Sequence, residues 1–235
     1  MPRLAECRGD VVAALLDRHG PPPRPGGGGG EAEGQGAGRF GAIARVAVGR
    51  VADPRTTEAV LAALGAAGLL DPEALGRASL AEVEDVLGGA RVRLAAKQLG
   101  PLRRLAVWAA GGGLGDPGEE PPSTETLRSE WRAIGGIGPT TSDALLLFAL
   151  GRTAYPVDRA TYRILVRHGW LDPSADYDEA RSIAEGLAPE DPTALAPIAS
   201  AMARLGREHC QAGIPRCDRC PLRPWLPEGG PREAE

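Results

Sequence analysis

The sequence is almost devoid of lysine. Of its 27 basic residues only Lys97 is lysine, and the rest are arginine. Chemistry that needs an amine nucleophile therefore has a single candidate side chain. Aromatic residues make up only 4% of the 235 positions, so leucine, alanine and valine must fill most of any interior. No apolar run approaches the roughly 20 residues that span a bilayer, and the opening Met1-Pro2-Arg3-Leu4-Ala5-Glu6 has no signal-peptide core. A soluble, cytoplasmic protein with no membrane partner is expected. No alternating apolar pattern of half-buried β-strands stands out either, which argues against sheet-based architectures. The formal charge of −4 runs against a uniformly basic nucleic-acid binder. Phosphate contacts are made by one face, however, so local charge matters more than the sum.

What is present is helical punctuation. Asp10 is positioned to cap a helix carrying Leu15 and Leu16, with Gly20 as its stop. Residues 21–38 are rich in Gly and Pro without apolar periodicity and read as a flexible linker. Residues 40–49 form an apolar stretch, and Thr56 is a candidate cap for a helix bearing Val60, Leu61 and Leu64. Asp71-Pro72 and the capping box Ser79-Leu80-Ala81-Glu82 open two more helices. A longer helix is predicted from about Arg91 to Ala110, bringing Arg91, Arg93, Lys97, Arg103 and Arg104 onto one element. That stretch is either a solvated face or a phosphate-facing one. Leu127, Trp131 and Ile134 stand at i, i+4 and i+7, the spacing of a buried stripe. Further helices are predicted after Pro139, after Asp158, after Asp176 or Asp178, and from Pro192 to about His209. Short connections and many caps predict a compact all-α fold.

Ile134-Gly135-Gly136-Ile137-Gly138-Pro139-Thr140 joins two of these helices by a very short turn. Gly136 and Gly138 can take positive φ and admit a close backbone, while Ile137 can anchor the turn in the core. The turn opens into a helix N-terminus, where unpaired N–H groups and the helix dipole suit a phosphate. Such a grip reads no base sequence and suits a protein that scans DNA. The same spacing also fits an ordinary glycine-containing αα-hairpin.

Residues 127–169, LRSEWRAIGGIGPTTSDALLLFALGRTAYPVDRATYRILVRHG, resemble the helix-hairpin-helix plus Gly/Pro-Asp motif of the endonuclease III superfamily of DNA glycosylases. The matching pieces are the Gly-Ile-Gly turn, Ser142-Asp143-Ala144, Phe148-Ala149-Leu150-Gly151-Arg152 and Pro156-Val157-Asp158. The stretch 61–75 is similar to the barrel helices of the branch near the alkylpurine glycosylases. The resemblance covers roughly residues 40–225. It implies two helical domains with DNA at the cleft between them. Residues 39–153 would be a helical barrel carrying the hairpin. Residues 1–20 would be an N-terminal helix joining 154–225, which carries a C-terminal cysteine loop. Residues 21–38 would cross between them, and 226–235 would be a disordered tail. The implied partner is double-stranded DNA with a base lesion, bound by a monomer.

The resemblance also assigns roles. Glycosylases flip a damaged nucleotide out of the duplex and break its N-glycosidic bond. The sugar gains oxocarbenium character that a nearby carboxylate stabilises. Asp158 matches the family's catalytic aspartate; it is equally a good N-cap for the helix that follows. Gly136, Ile137, Gly138 and Thr140 match the DNA-gripping hairpin. Thr140 stands where strand-cleaving members carry a lysine that forms a Schiff base, which implies base removal without efficient AP-lyase action. Gly49-Arg50-Val51-Ala52 departs from the segment that fills the gap left by the flipped base. Arg50 either wedges into the stack in its place or is a plain surface residue.

Cys210, Cys217 and Cys220 are spaced C-x6-C-x2-C, matching three ligands of the family's [4Fe–4S] loop, and Leu226 stands where the fourth cysteine belongs. Arg216, Arg219 and Arg223 fit the family's use of this loop on DNA phosphate. Three outcomes stay open: a cluster completed by Cys7 or a non-Cys ligand, a zinc site completed by Cys7 or a histidine, or a loop without metal. His209 adjoins Cys210, and neighbours rarely reach one tetrahedral ion together. A disulfide is not expected in a reducing compartment. Two functions follow: a monofunctional DNA glycosylase of base excision repair, or a DNA-binding module of the same ancestry that has lost its chemistry.

Overall fold

A computed structural model describes residues 4–17, 35–115, 120–189 and 191–233. The described residues are helical, with no strand among them, as the sequence predicts. None of the described helices is long and apolar enough to cross a membrane. The chain divides into two compact units, residues 1–24 with 151–235 and residues 25–150. Most of the predicted 21–38 linker lies outside the described residues.

In the 25–150 unit, α2 (Gln35–Gly49), α3 (Pro54–Ala66), α4 (Pro72–Arg77), α5 (Leu80–Gly89), α6 (Ala96–Trp108), α7 (Thr124–Ala133) and α8 (Pro139–Ala144) surround an aliphatic core. Phe40, Ile43, Val60, Leu64, Leu75, Leu87, Leu105 and Leu145 are fully enclosed. The predicted caps at Asp71 and Ser79 form, with the capping box at Ser79 and Glu82 complete. Asp53 rather than Thr56 caps α3, because Pro54 then takes the first helical position where its missing N–H costs nothing. The long helix predicted from Arg91 is shorter. Residues 90–92 instead close the end of α5 through Arg91 N–H to Gly88 and Val92 N–H to Leu87, and Arg91 takes a φ of +58°. Arg91 and Arg93 therefore lie on a connection, and Lys97, Arg103 and Arg104 on α6. Arg103 is drawn into the fold, donating to the Gly76 carbonyl at 3.3 Å.

The predicted stripe on α7 is realised by Leu127 and Trp131, both buried. Between α7 and α8 lies an ion pair that the apolar pattern did not announce. Asp143 has no solvent exposure, and its Oδ1 accepts from Nε of the buried Arg128 at 2.8 Å. Arg128 also pairs with Glu125 one turn earlier, and Arg132 lies 3.7 Å from Oδ2. Ser142, equally buried, donates to the Arg128 carbonyl at 3.4 Å. The two helices are thus locked at a fixed offset, which sets the geometry of the turn joining them. From Leu145 to Ala149 the α8 helix widens into a π turn.

In the other unit, α1 (Leu4–Asp17) packs on α11 (Pro192–Glu208), with α9 (Arg159–Arg167) and α10 (Tyr177–Glu185) completing it. The first helix begins at Leu4, so Asp10 sits inside it rather than capping it. Its buried face, Leu4, Cys7, Val11 and Leu15, is one continuous stripe that runs past Asp10. The last segment, expected to be loose, is described to residue 233, and the Arg232 N–H donates to the Arg167 carbonyl at 3.0 Å.

Removing one partner of a buried ion pair leaves the other charge uncompensated, at a cost of about 3–5 kcal/mol. Asp143→Ala is expected to lower the unfolding free energy by about that amount in urea titration. The double change Arg128→Met with Asp143→Leu is expected to recover most of it, since neither charge is then stranded.

Candidate nucleic-acid and catalytic sites

The hairpin turn is built on α6. The Arg104 guanidinium donates through Nε to the Gly135 carbonyl at 2.8 Å. One turn earlier, Pro101 lies under Gly136, where a Cβ would come within 2.7 Å of its ring. Gly136 has a φ of +89°, as the turn requires. Gly138 does not: its φ is −83°, and a Cβ there would meet nothing. The sequence reading gave both glycines the same role, but only Gly136 reverses the chain. Gly138 is the N-cap residue of α8 and needs only extended backbone. Ile137 is buried, its N–H closed onto the Ile134 carbonyl at 2.9 Å, so the turn is pinned from inside. The exposed Gly136 and Gly138 donate no backbone hydrogen bond among the described residues. Two N–H groups and the Arg104 charge thus face solvent at the start of a helix, an arrangement that favours an anion. Thr140 is half-buried on the first turn of α8. Arg50 is exposed in the turn after α2, and its side chain has no partner among the described residues.

Asp158 belongs to the other unit. The four residues before it, Ala154 to Val157, are buried, so the carboxylate leaves a fixed support. Its Oδ1 accepts the Thr161 N–H at 2.7 Å, capping α9. The second oxygen has no hydrogen bond among the described residues, and the side chain is half-exposed. The capping and cleft readings of Asp158 therefore need not compete, since one oxygen serves each.

The far end of the same helix holds the cysteine loop. Arg163 donates to the Cys210 carbonyl at 2.8 Å. Arg167, buried, donates to the carbonyls of Gln211, Ala212 and Gly213 at 2.6, 3.3 and 3.1 Å and lies 3.4 Å from the Cys210 sulfur. The loop closes on itself through Arg216 N–H to the His209 carbonyl at 2.8 Å. Cys210, Cys217 and Cys220 line one cavity with His168, His209 and Leu226. Burial and the neighbouring Cys210 push the Cys217 thiol up, while Arg167 pulls it down. His168, buried behind the loop, has its pKa lowered to about 4 by desolvation, against the hydrogen bond to Trp225, so it is neutral near pH 7. Among the described residues no three of His, Cys, Asp or Glu gather closely enough to grip a single metal ion. Thiolates are the ordinary ligands of iron–sulfur clusters, each binding its own iron, so the chemistry of the three thiols is compatible with such a cluster. Cys7 is buried on α1 and is not among the residues lining this cavity. Arg216, Arg219 and Arg223 are exposed on the loop.

Arg128, Arg163, Arg167 and His168 were not among the residues expected at these sites, and Arg104 was expected only as one of the basic residues of the 91–104 stretch, without its contact to the turn. A signal existed for some of them. Asp143 within an apolar run implies a buried cation, and Arg163 and Arg167 stand at i and i+4 on one helix face. Nothing in the chain order points from Arg104 to Gly135.

No protein-family model matches the chain. A Methanocaldococcus jannaschii protein named as a DNA repair glycosylase is 36% identical over 103 residues, 43% of this chain and 45% of that protein. Endonuclease III of Sulfolobus acidocaldarius is 30% identical over 102 residues, 43% of this chain and 44% of that protein. The Arabidopsis thaliana transcriptional activator DEMETER is 28% identical over 171 residues, 66% of this chain and 8% of that protein. The chain thus matches less than half the length of each of these relatives. Among solved structures, an endonuclease III trapped as a covalent intermediate with DNA superposes with a TM-score of 0.65 at 19% identity, covering 97% of this chain and 98% of that one. A thermostable thymine-DNA glycosylase gives 0.61 at 16% identity, covering 91% and 92%. The chain has the fold of endonuclease III. Over the matched residues its sequence is similar to that of these relatives.

The two hairpin glycines should respond differently to substitution. Gly136→Ala is expected to cost about 1–3 kcal/mol, because it combines a positive φ with a clash. Gly138→Ala is expected to stay within about 0.5 kcal/mol of the parent. Chemical denaturation of both variants measures the contrast.

Proposed function

We propose that the chain is a DNA N-glycosylase that removes a damaged or mismatched base from double-stranded DNA and leaves the strand uncut. The observation that carries this reading is Asp158, a carboxylate with one oxygen fixed by the Thr161 N–H and the other unengaged among the described residues. When the glycosidic bond breaks, its electron pair leaves with the base and the sugar becomes cationic. A fixed carboxylate stabilises that cation and orients the water that attacks it. The hairpin grips phosphate through the Gly136 and Gly138 N–H groups, with Arg104 adding charge beside them and Ile137 holding the turn. Arg50, exposed and without a partner, is the candidate to fill the space left by the flipped base.

Strand cleavage by this family's route requires a primary amine to form an imine with the sugar. Thr140 at the matching position has none, and Lys97 is exposed on α6. The names of the relatives, which include a DNA repair glycosylase, an endonuclease III and a thymine-DNA glycosylase, support base removal as the reaction class and leave the lesion open. We further propose that Cys210, Cys217 and Cys220 hold a [4Fe–4S] cluster. When bound, it would cross-link the loop and present Arg216, Arg219 and Arg223 to phosphate.

Single-turnover base release from a panel of lesion duplexes tests the reaction. Asp158→Asn keeps an acceptor for the Thr161 N–H, so its stability is expected to match the parent. Its rate of base release is expected to fall about 10²–10³-fold with DNA binding retained. Borohydride is expected to trap no covalent adduct. DNA binding without release from any lesion would mark a module that only binds. In a separate measurement, Arg104→Met is expected to weaken duplex binding and to reduce the slope of log affinity against log salt by about 1. An unchanged slope would remove Arg104 from the phosphate contacts.

A further inference from the structure

We propose that His168 supplies, through Nε2, the fourth ligand that Leu226 cannot provide. This rests on the cluster reading above. His168 is the C-cap residue of α9, is 3% exposed, and lines the same cavity as Cys210, Cys217, Cys220 and Leu226. Its Nδ1 lies 3.2 Å from the Trp225 carbonyl oxygen. A carbonyl only accepts, so the proton sits on Nδ1 and Nε2 keeps its lone pair. This is the arrangement by which metal-bound histidines are oriented, with the second ring nitrogen donating to backbone. The ring plane is fixed by stacking on Trp170, at a centroid distance of 4.5 Å and 21° between planes.

The tether also places the ring. Trp225 immediately precedes position 226, so the hydrogen bond holds the imidazole beside the place of the missing thiolate. His209 lines the same cavity, and its buried Nδ1 has no hydrogen-bond partner among the described residues. As the neighbour of Cys210 it is the poorer ligand. The pairing explains how a loop with three cysteines and a leucine can still close a four-iron site.

The test uses the full chain, reconstituted anaerobically with ferrous iron and sulfide and labelled with isotopic histidine. In the reduced cluster, nitrogen hyperfine coupling from one histidine is expected. His168→Ala is expected to lose that coupling and to fall from about four irons per chain to about three. His168→Cys is expected to keep about four irons, lose the coupling and show a lower reduction potential, since thiolate replaces imidazole. His209→Ala is expected to keep the coupling. Far-ultraviolet circular dichroism of the metal-free variants checks that each is folded, and His168→Cys stands if His168→Ala does not fold. A full cluster with no histidine coupling, or coupling that survives in a His168 variant, overturns the assignment of His168 alone. A colourless, iron-free protein after reconstitution overturns the cluster reading as well.

Discussion

Asp143 is a carboxylate with no access to water, and its presence dictates much of what lies around it. An isolated buried charge of this kind is costly, so Arg128 must be buried with it and Arg132 drawn close. Those two arginines stand on α7, and Asp143 stands on α8, so meeting the cost fixes the offset between the helices. The turn from Ile134 to Gly138 then has to span a set distance in very few residues. Gly136 absorbs the reversal at positive φ, and Ile137 is forced inward. The exposed N–H groups of the hairpin are thus the outward consequence of an ion pair buried beneath them. A pair of this sort contributes little net stability over an apolar replacement. What it contributes here is register: apolar contacts alone would let the two helices slide.

Helix α9 plays a comparable part in the other unit. Asp158 caps its start, Arg163 and Arg167 rise from its middle and last turn to hold the loop after α11, and His168 closes its end. Nine helical residues extend about 13 Å. One short rigid element therefore carries the candidate catalytic carboxylate at its N-terminus and the supports of the cysteine loop at its C-terminus. The three carbonyls that Arg167 gathers tie the loop to the end of α9.

The hairpin shows how far local sequence carries. Its helices, its turn and its apolar anchor were legible because they follow from periodicity and from the limits that glycine and proline place on φ. The capping box at Ser79 and the cap at Asp158 were legible for the same reason: each is a contact between residues three apart. The errors arose where a contact from outside competed. The helix expected from Arg91 gave way to the closure of α5, where the Val92 N–H turns back to Leu87. Asp10 has every local feature of a cap, yet the stripe from Leu4 to Leu15 is buried as a unit and carries the helix past it. Gly136 and Gly138 are chemically identical, and only Pro101 beneath one of them and the required reversal tell them apart.

The missing lysine has the same double character. That Lys97 is the one amine side chain, that Thr140 follows the hairpin proline and that Leu226 breaks the cysteine pattern are facts of chain order, and they fix which chemistry lacks its reagent. They hold whatever the fold, because a functional group absent from the sequence cannot be supplied by packing. Which groups meet was decided only by tertiary structure. Arg104 meets Gly135 across 31 positions, Arg167 meets Gln211 across 44, and His168 meets Trp225 across 57. Contacts at such separations depend on how buried faces pack, and periodicity in one segment holds no information about the distance to another.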